Sequence, residues 1–301
     1  MIPSMRPPVT NTPAAVKPPP TEETLRSLLT NGMADIVQQM LDMYPQLKFK
    51  IENGQLVDCI AGAELYLKRF ITQDEETIQM KSDAMKLSDI NDEVLILGET
   101  GTGKEIIAKA MIGNRTGLFL PINCAGLPAD LMESELFGHK AGSFTGATNT
   151  KSGILSDARD GVVFLDEIGE LPLQVQGKLL RAIQEKRIRR VGENEEKGIS
   201  CRFVCATHRD LESMVKDNTF RKDLYARIST FTLRIKPLRE RKGDIQPIAE
   251  SIGNSLGLTK TKVAEFLSKY SDGFMNDAVD LSLNVRSLEQ AMKRYNVLGR
   301  I

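Results

Sequence analysis

A glycine-rich segment that ends in lysine, GETGTGK, is the part of the chain whose residue types most directly specify chemistry. It runs from Gly98 to Lys104, has the spacing G-x-x-x-x-G-K, and lies between the apolar run EVLILG and the helical pattern KEIIAKAMIG. Glycines let successive backbone N–H groups converge on phosphate oxygens, and a following helix adds its positive N-terminus. The segment therefore predicts a P-loop in which Lys104 reaches the β- and γ-phosphates of a nucleotide. Glu105 stands where a general P-loop has a Ser or Thr for Mg²⁺.

A second segment, VVFLDE, is an apolar run that ends in two carboxylates, Asp166 and Glu167. We expect Asp166 to hold Mg²⁺ directly or through water. Glu167 is then free to orient and deprotonate the attacking water. A base beside a metal ligand favours hydrolysis over nucleotide binding alone.

The segment AGSFTGAT places the aromatic Phe144 between two glycines, Gly142 and Gly146. An aromatic ring on an exposed, glycine-hinged loop indicates an interaction surface. The alternative is that Phe144 folds back onto its own subunit, and the two are compatible.

Apolar runs that alternate with helical patterns must position these residues. The runs EVLILG, LFLPI, GVVFLDE, CRFVCA and TFTLRI are separated mostly by helical segments such as LQVQGKLLRAIQE. This alternation predicts an α/β fold, a parallel sheet covered on both faces by helices. We expect four regions: a disordered Pro-rich tail (1–20), a small helical region (21–86), the α/β nucleotide-binding domain (87–236) and a helical lid domain (237–301).

Composition narrows the class of protein. Lys+Arg and Asp+Glu both number 40, so bulk charge does not favour nucleic acid binding. Cys201 and Cys205 lie in an apolar run and are expected to be buried thiols rather than metal ligands. With no signal-peptide core and no long apolar span, we expect a cytoplasmic protein without a membrane segment.

Five segments together resemble the AAA+ central domain of bacterial enhancer-binding proteins, the activators of sigma-54 RNA polymerase. They are GETGTGKE, PINCAGLPADLMESELFGHKAGSFTGAT, GVVFLDEIGELPLQVQGKLLRAIQEKRIRRVG, FRKDLYARI and PLRERKGDI. The resemblance runs from about Glu93 to Ile245 and implies a P-loop AAA+ sandwich with a helical lid, ATP and Mg²⁺ as cofactors, and ATP hydrolysis. The family also has Glu after the P-loop lysine.

The resemblance assigns roles to five further residues. Asn123 matches the asparagine that restrains the catalytic glutamate. His208 falls in the sensor I segment, where asparagine is common. Arg221 and Arg227 match arginine fingers that reach the γ-phosphate in the neighbouring subunit, which implies a homo-oligomeric ring, by resemblance a hexamer. Arg286 matches the sensor II arginine of the lid.

The implied ATP site comprises the P-loop and two sensors: Gly98, Glu99, Thr100, Gly101, Thr102, Gly103, Lys104, Glu105, His208 and Arg286. The implied sigma-54 contact is the hexapeptide loop: Gly142, Ser143, Phe144, Thr145, Gly146 and Ala147. Ser143 replaces the usual alanine and is expected to add a hydroxyl at the contact.

Some features depart from the family. The lid reads DLSLNVRSL, with Ser287 in place of the usual glutamate, and neither a receiver domain nor a helix-turn-helix is recognised. The basic segment KRIRRVG is interpreted as a solvated or ring-surface loop. Sigma-54 remodelling is the leading hypothesis. The alternatives are an AAA+ remodeller of another protein, such as a phage or mobile-element ATPase, and a nucleotide-binding scaffold ring.

Overall fold

The computed structural model describes residues 22–43, 49–52, 55–58, 61–144, 147–275 and 281–299. The predicted Pro-rich tail (1–20) and two residues of the hexapeptide loop, Thr145 and Gly146, lie outside these ranges. The strands are β1 (Phe49–Glu52), β2 (Gln55–Asp58), β3 (Val94–Leu97), β4 (Phe119–Asn123), β5 (Gly138–His139), β6 (Lys151–Ser152), β7 (Val162–Asp166), β8 (Arg187–Arg189), β9 (Glu196–Gly198), β10 (Arg202–Thr207) and β11 (Phe231–Arg234). The helices are α1 (Glu22–Thr30), α2 (Ala34–Met43), α3 (Ala61–Arg69), α4 (Glu75–Ser88), α5 (Lys104–Ala110), α6 (Ala129–Phe137), α7 (Ile154–Asp157), α8 (Leu173–Glu185), α9 (Leu211–Lys216), α10 (Lys222–Ile228), α11 (Ile245–Ser255), α12 (Lys260–Met275) and α13 (Val285–Leu298).

The chain divides into two compact units, Met1–Cys59 and Ile60–Ile301. In the first unit, α1 and α2 pack through a small apolar cluster around Leu25 and Val37, and β1 pairs antiparallel with β2. The prediction of a small helical region at 21–86 did not include this strand pair. The missed signal was the dipeptide Asn-Gly between the two strands, which is typical of a hairpin.

The second unit contains the predicted parallel sheet. Its strand order is β11-β3-β10-β7-β4, and every neighbouring pair is parallel. Successive residues of the central strands enter opposite cores: Val94 and Ile96 pack on one face, whereas Leu95 packs on the other. Both faces are covered by helices, which confirms the predicted α/β class and explains why these strands read as unbroken apolar runs.

Helices α3 and α4 belong to the second unit, although the sequence analysis grouped them with the N-terminal region. Their apolar residues, including Leu67 and Met80, join the core under one face of the sheet, as does Phe70, which directly follows α3. The division therefore falls after Cys59 rather than at residue 86.

Behind β11, the described residues form helices and short 3₁₀ turns without a strand, as the lid prediction required. Helices α11, α12 and α13 enclose a separate core that includes Ile245, Phe266 and Leu288. Within the described ranges, no helix combines the length and apolar character needed to cross a membrane.

Candidate active site

The P-loop lies between the carboxyl end of β3 and the start of α5. Gly101 and Gly103 adopt positive φ angles of 78° and 105°, which L side chains rarely tolerate. Lys104 is buried, and its Nζ donates hydrogen bonds to the carbonyl oxygens of Gly98 (2.8 Å) and Glu99 (3.2 Å). The lysine thus lies across the loop, in the place where a phosphate can bind.

The two P-loop glycines also allow other parts of the fold to approach closely. A Cβ at Gly101 would lie 2.0 Å from the carbonyl oxygen of Leu283, just before α13. A Cβ at Gly103 would lie 2.8 Å from the ring of Phe70. Any side chain at either position would push the lid or α3 away from the loop.

The two predicted carboxylates follow β7. Glu167 has a φ of 53°, and this left-handed conformation turns the chain sharply after the strand. Burial and the neighbouring charge of Glu167 raise the pKa of Asp166. Burial acts in the same direction on Glu167, but the charge of Lys104 and the contacts with His208 outweigh it and lower its pKa. Glu167 is therefore an anion at neutral pH.

Glu167 is held by three neighbours. Its Oε1 lies 3.4 Å from Lys104 Nζ, and its Oε2 lies 2.7 Å from His208 Nδ1. The hydroxyl of Thr207 and the backbone N–H of His208 are also directed at Oε2. The amide oxygen of Asn123 accepts instead from the backbone N–H of Ala125, at 2.8 Å. In this state it is the sensor I segment that restrains the glutamate, and not Asn123, to which the family resemblance gave that role.

One cavity of about 690 Å³ brings most of these groups together. Its lining includes Thr100 to Ile106, the pair Asp166–Glu167, Asn123, His208 and the lid residue Arg286. Glu105 reaches it from the first turn of α5 while its carboxylate pairs with Lys109. A second cavity of about 710 Å³ lies beside this one, but Lys104, Asp166 and Glu167 are not among its lining residues. The cavity of about 690 Å³ is therefore the candidate site.

Hydrogen bonds connect the lid to the P-loop. Arg239 donates two hydrogen bonds to the Glu99 carboxylate, at 2.7 and 2.6 Å, and these lower the pKa of Glu99. Asn284 Nδ2 donates to Glu99 (3.2 Å) and to the carbonyl oxygen of Thr100 (3.0 Å). The N-terminus of α13, and with it Arg286, is thereby placed over the phosphate loop.

Among the residues that line this cavity, Phe70 and Arg241 were not predicted from the sequence. The buried Arg241 donates to Asp244 (2.9 Å) and to the carbonyl oxygen of Thr102 (3.3 Å), and its guanidinium lies 5.2 Å from the centre of the Phe70 ring. Arg241 belongs to the segment PLRERKGDI, which carried the resemblance without an assigned role. For Phe70 the sequence holds no local signal, because its contact is made across the fold.

The two predicted finger arginines lie away from this cavity. Arg221 precedes α10 and pairs with Asp223 at 2.7 Å, while Arg227 lies in the last turn of α10 and pairs with Glu93 at 3.3 Å. Neither is among the described residues that line the cavity. Within one subunit they therefore do not contribute to its site.

The hexapeptide loop is supported by the short strand pair β5–β6. Inside the loop, the N–H of Gly142 donates to Ala147 O (2.8 Å) and the N–H of Ala147 donates to Phe144 O (3.0 Å). The half-buried Phe144 ring packs edge-on against His139, with 5.0 Å between ring centres. In this state Phe144 rests on its own subunit, as the alternative reading allowed.

The loop base also contacts the hairpin formed by β8 and β9. Val191 exchanges backbone hydrogen bonds with Gly138 and Lys140, both at 3.0 Å. A Cβ at Gly192 would lie 2.6 Å from the Cβ of Ser143. The Ser143 hydroxyl is buried there, so it does not add a polar group to the outer face as the sequence analysis expected.

The remaining titratable groups give no competing site. Cys124, Cys201 and Cys205 are buried and reduced, as expected for Cys201 and Cys205, and burial raises the pKa of Cys201 to about 11. In the described part of the chain, no group of three or more His, Cys, Asp or Glu side chains could hold a metal ion.

Comparison with protein families identifies a matching domain. Residues 70–234 match the model described as the sigma-54 interaction domain, which is more than half of the chain. This span contains the P-loop, both carboxylates, the hexapeptide loop and both finger arginines.

Several curated proteins are similar over most of the chain. The DNA-binding transcriptional activator HyfR of Escherichia coli is 39% identical over 286 residues, which is 91% of this chain and 41% of HyfR. The response regulator protein PilR of Pseudomonas aeruginosa is 42% identical over 223 residues, 73% of this chain and 50% of PilR. The Nif-specific regulatory protein of Azotobacter vinelandii is 42% identical over 220 residues, 69% of this chain and 40% of that protein. The chain thus spans half or less of the length of these relatives.

Solved structures agree on the fold. NtrX from Brucella abortus in complex with ADP aligns with a TM-score of 0.66 at 24% identity, covering 90% of this chain and 56% of NtrX. Hsp104 with ATPγS and casein aligns with a TM-score of 0.58 at 16% identity, covering 88% of this chain and 51% of that chain. The sheet, its flanking helices and the helical lid are those of AAA+ proteins.

Proposed function

The chain belongs to the sigma-54 interaction domain family, and on that premise we propose that it is an ATP-hydrolysing ring subunit that remodels sigma-54 RNA polymerase to activate transcription in the cytoplasm. The observation that carries the proposal is the meeting of Lys104, Asp166, Glu167 and Arg286 at one cavity in a domain of this family.

Binding of ATP follows from the polarity of this cavity. The P-loop N–H groups and the start of α5 offer donors for phosphate oxygens. Lys104 exchanges its bonds with the loop carbonyls and with Glu167 for the β- and γ-phosphates. Arg286 approaches the same phosphates from the lid.

Hydrolysis then depends on Glu167. Departure of Lys104 towards the phosphate frees one carboxylate oxygen, while His208 and Thr207 hold the other. Glu167 orients a water molecule and accepts its proton as the water attacks the γ-phosphorus, while the bond from that phosphorus to the bridging oxygen breaks and ADP leaves. The lowered pKa of Glu167 keeps it ionised before ATP binds, and the departure of Lys104 removes one cause of that lowering.

The residues at the end of β7 fit a magnesium ion. Asp166 has a raised pKa because its charge is buried beside another carboxylate, and a cation bound there relieves both penalties. One or two protein carboxylates are usual for Mg²⁺ that is bound mainly by water and nucleotide phosphates. Asp166 would hold the ion, which neutralises phosphate charge.

The arginines complete the site between subunits. Arg221 and Arg227 lie outside the cavity of their own subunit, so we propose that they reach the γ-phosphate of a neighbour in a ring, by family resemblance a hexamer. Arginine suits this role because it stays charged and presents a planar fork to phosphate.

The hexapeptide loop makes the contact with sigma-54. With nucleotide bound, the loop rises from His139 so that Phe144 and Thr145 reach the target, and phosphate release withdraws it. The contact of the loop base with Val191 and Gly192 supports a role for the hairpin formed by β8 and β9 in transmitting this motion.

The test is capture of the protein by immobilised sigma-54. We expect retention with ADP and aluminium fluoride, which mimic the transition state, and little retention with ADP alone. Phe144→Ala should show little retention in either condition. If the wild-type protein hydrolyses ATP but shows no nucleotide-dependent retention, the remodeller acts on a different protein.

A further inference from the structure

A buried acid outside the nucleotide cavity, Glu93, lies between two cations. It is the residue immediately before β3, at the end of the sheet opposite to the P-loop, and it is 1% exposed. Its Oε1 is 3.3 Å from Lys186 Nζ, and its Oε2 is 3.3 Å from Arg227 Nη2. An anion with so little solvent contact is tolerated only with such partners.

The ion pair between Glu93 and Arg227 leaves part of the hydrogen-bonding capacity of the guanidinium unused. Glu93 Oε2 and Arg227 Nε are both buried, and among the described residues neither has a hydrogen-bond partner. The ion pair is therefore not a closed, two-bond fork. Because the Arg227 side chain is 40% exposed, its outer N–H groups can accommodate a second anion while Glu93 fixes the inner side.

Lys186 makes this arrangement stable when Arg227 moves. It follows α8 with a φ of 50°, and its ammonium lies 5.0 Å from the centre of the Phe203 ring as well as near Glu93. If Arg227 shifts towards a phosphate, Lys186 remains as a counter-ion, so the buried carboxylate is never left unpaired.

We propose that Glu93 is a positioning residue for Arg227: it aims the guanidinium out of its own subunit, towards the nucleotide of the neighbour. This inference rests on the proposed function, since it takes Arg227 to act in trans. The action of Arg227 on the neighbouring subunit then depends on the buried anion Glu93, which lies at the end of β3 opposite to the P-loop.

The test begins with Glu93→Gln, which removes the charge and keeps the shape. We expect turnover to fall by about tenfold, with the Kd for ATP unchanged because the subunit's own cavity is intact. In an Arg227→Ala background the same change should have no further effect on turnover. Glu64→Gln, which removes the acid of an exposed ion pair with Lys68, is the matched control and should leave turnover unchanged.

Mixed rings separate positioning from a merely structural role. Lys104→Ala subunits lack a working cavity but present an intact Glu93 and Arg227 to the next subunit. In an equal mixture, about half of the Glu93→Gln cavities receive an intact finger, so turnover per Glu93→Gln subunit should rise about fivefold. A structural defect within the subunit would not be rescued.

A mixture of Arg227→Ala subunits with Lys104→Ala subunits tests the premise that Arg227 acts on the neighbouring subunit. Rescue of Arg227→Ala but not of Glu93→Gln would overturn the inference and leave the trans finger intact. Failure to rescue Arg227→Ala would overturn the trans finger and the inference together. A rise in turnover of Glu93→Gln alone would also refute positioning, because it would mean that Glu93 restrains the arginine.

Discussion

The nucleotide cavity and the hexapeptide loop are held in place in different ways. In the cavity, Lys104 and Glu167 each contact several groups at the carboxyl ends of the parallel strands. In the loop, backbone bonds fix the base through Val191, while among the described residues the ring of Phe144 makes one aromatic contact, with His139.

This difference separates two tasks. Phosphoryl chemistry needs groups fixed to within a fraction of an ångström, which buried strand ends provide. Target contact needs an apolar group that can be released, and one edge contact of about 1 kcal/mol costs little to break. We therefore expect changes in the cavity to remove turnover, and changes at the loop tip to remove only target binding.

The largest effect is expected for Glu167→Gln. The amide cannot accept the proton, so turnover should fall by about a thousandfold, while the Kd for ATP changes little because Lys104 and the P-loop remain. Steady-state phosphate release and equilibrium ATP binding measure the two quantities. Turnover within twofold of wild type would exclude Glu167 as the base.

Phe144→Ala should give the opposite result. Loss of the ring should weaken nucleotide-dependent binding to sigma-54 by about thirtyfold, as for an aromatic anchor at an interface, while turnover without target stays within about twofold. Leu118→Ala, at an exposed apolar residue outside the loop, is the control. A large fall in basal turnover would break the comparison, because the loop would then be part of the catalytic site.

Much of the cavity could be predicted because its constraints are local in the chain. The P-loop needs glycines at fixed spacing, and the carboxylates must follow a buried strand, so GETGTGK and VVFLDE are recognisable from sequence. The alternation of apolar runs with helical patterns predicts the parallel sheet for a similar reason. These features depend on neighbours within a few residues.

The missed features depend on contacts between distant segments. Phe70 reaches Gly103 only because α3 packs on α5, and no pattern around Phe70 indicates this. Likewise, two polar residues near Glu167, Asn123 and His208, could each restrain it, and only the three-dimensional arrangement shows that His208 does so in this state.

A smaller effect is expected at the contact between lid and P-loop. Glu99→Gln removes the charge that binds Arg239, so the start of α13 should dock less firmly, and the Kd for ATP should rise about fivefold. In the wild-type protein the pKa of Glu99 lies below its ordinary value, so the contact is present at neutral pH and is lost only as the pH falls through that lowered pKa. ATP binding measured by calorimetry checks the variant. An unchanged Kd would show that the ion pair of Glu99 with Arg239 does not contribute to nucleotide binding.

The smallest effect is expected at a residue outside both the cavity and the loop. It shows what a loss of stability alone does to turnover and to target binding. Asp74 caps α4 by accepting hydrogen bonds from the N–H (2.9 Å) and hydroxyl (2.7 Å) of Thr77. Asp74→Ala should lower the free energy of unfolding by about 1 kcal/mol, as for loss of an N-cap, and leave both turnover and sigma-54 binding unchanged. Burial alone would raise the pKa of Asp74, but its bonds with Thr77 and Lys236 lower it from the ordinary value of 3.8.

The sign of the pH dependence follows from that lowered pKa. The carboxylate stabilises the fold above the unfolded-state pKa, and this contribution disappears as the pH falls through the folded-state pKa. The difference in unfolding free energy between wild type and Asp74→Ala should therefore be constant near neutral pH and shrink below about pH 4. Urea unfolding at several pH values measures it. The variant should keep turnover and target binding at temperatures where it is folded. If it loses either, a small loss of stability outside both regions has the same effect as a change at the cavity or the loop. The results for Glu167→Gln and Phe144→Ala would then not separate catalysis from target binding.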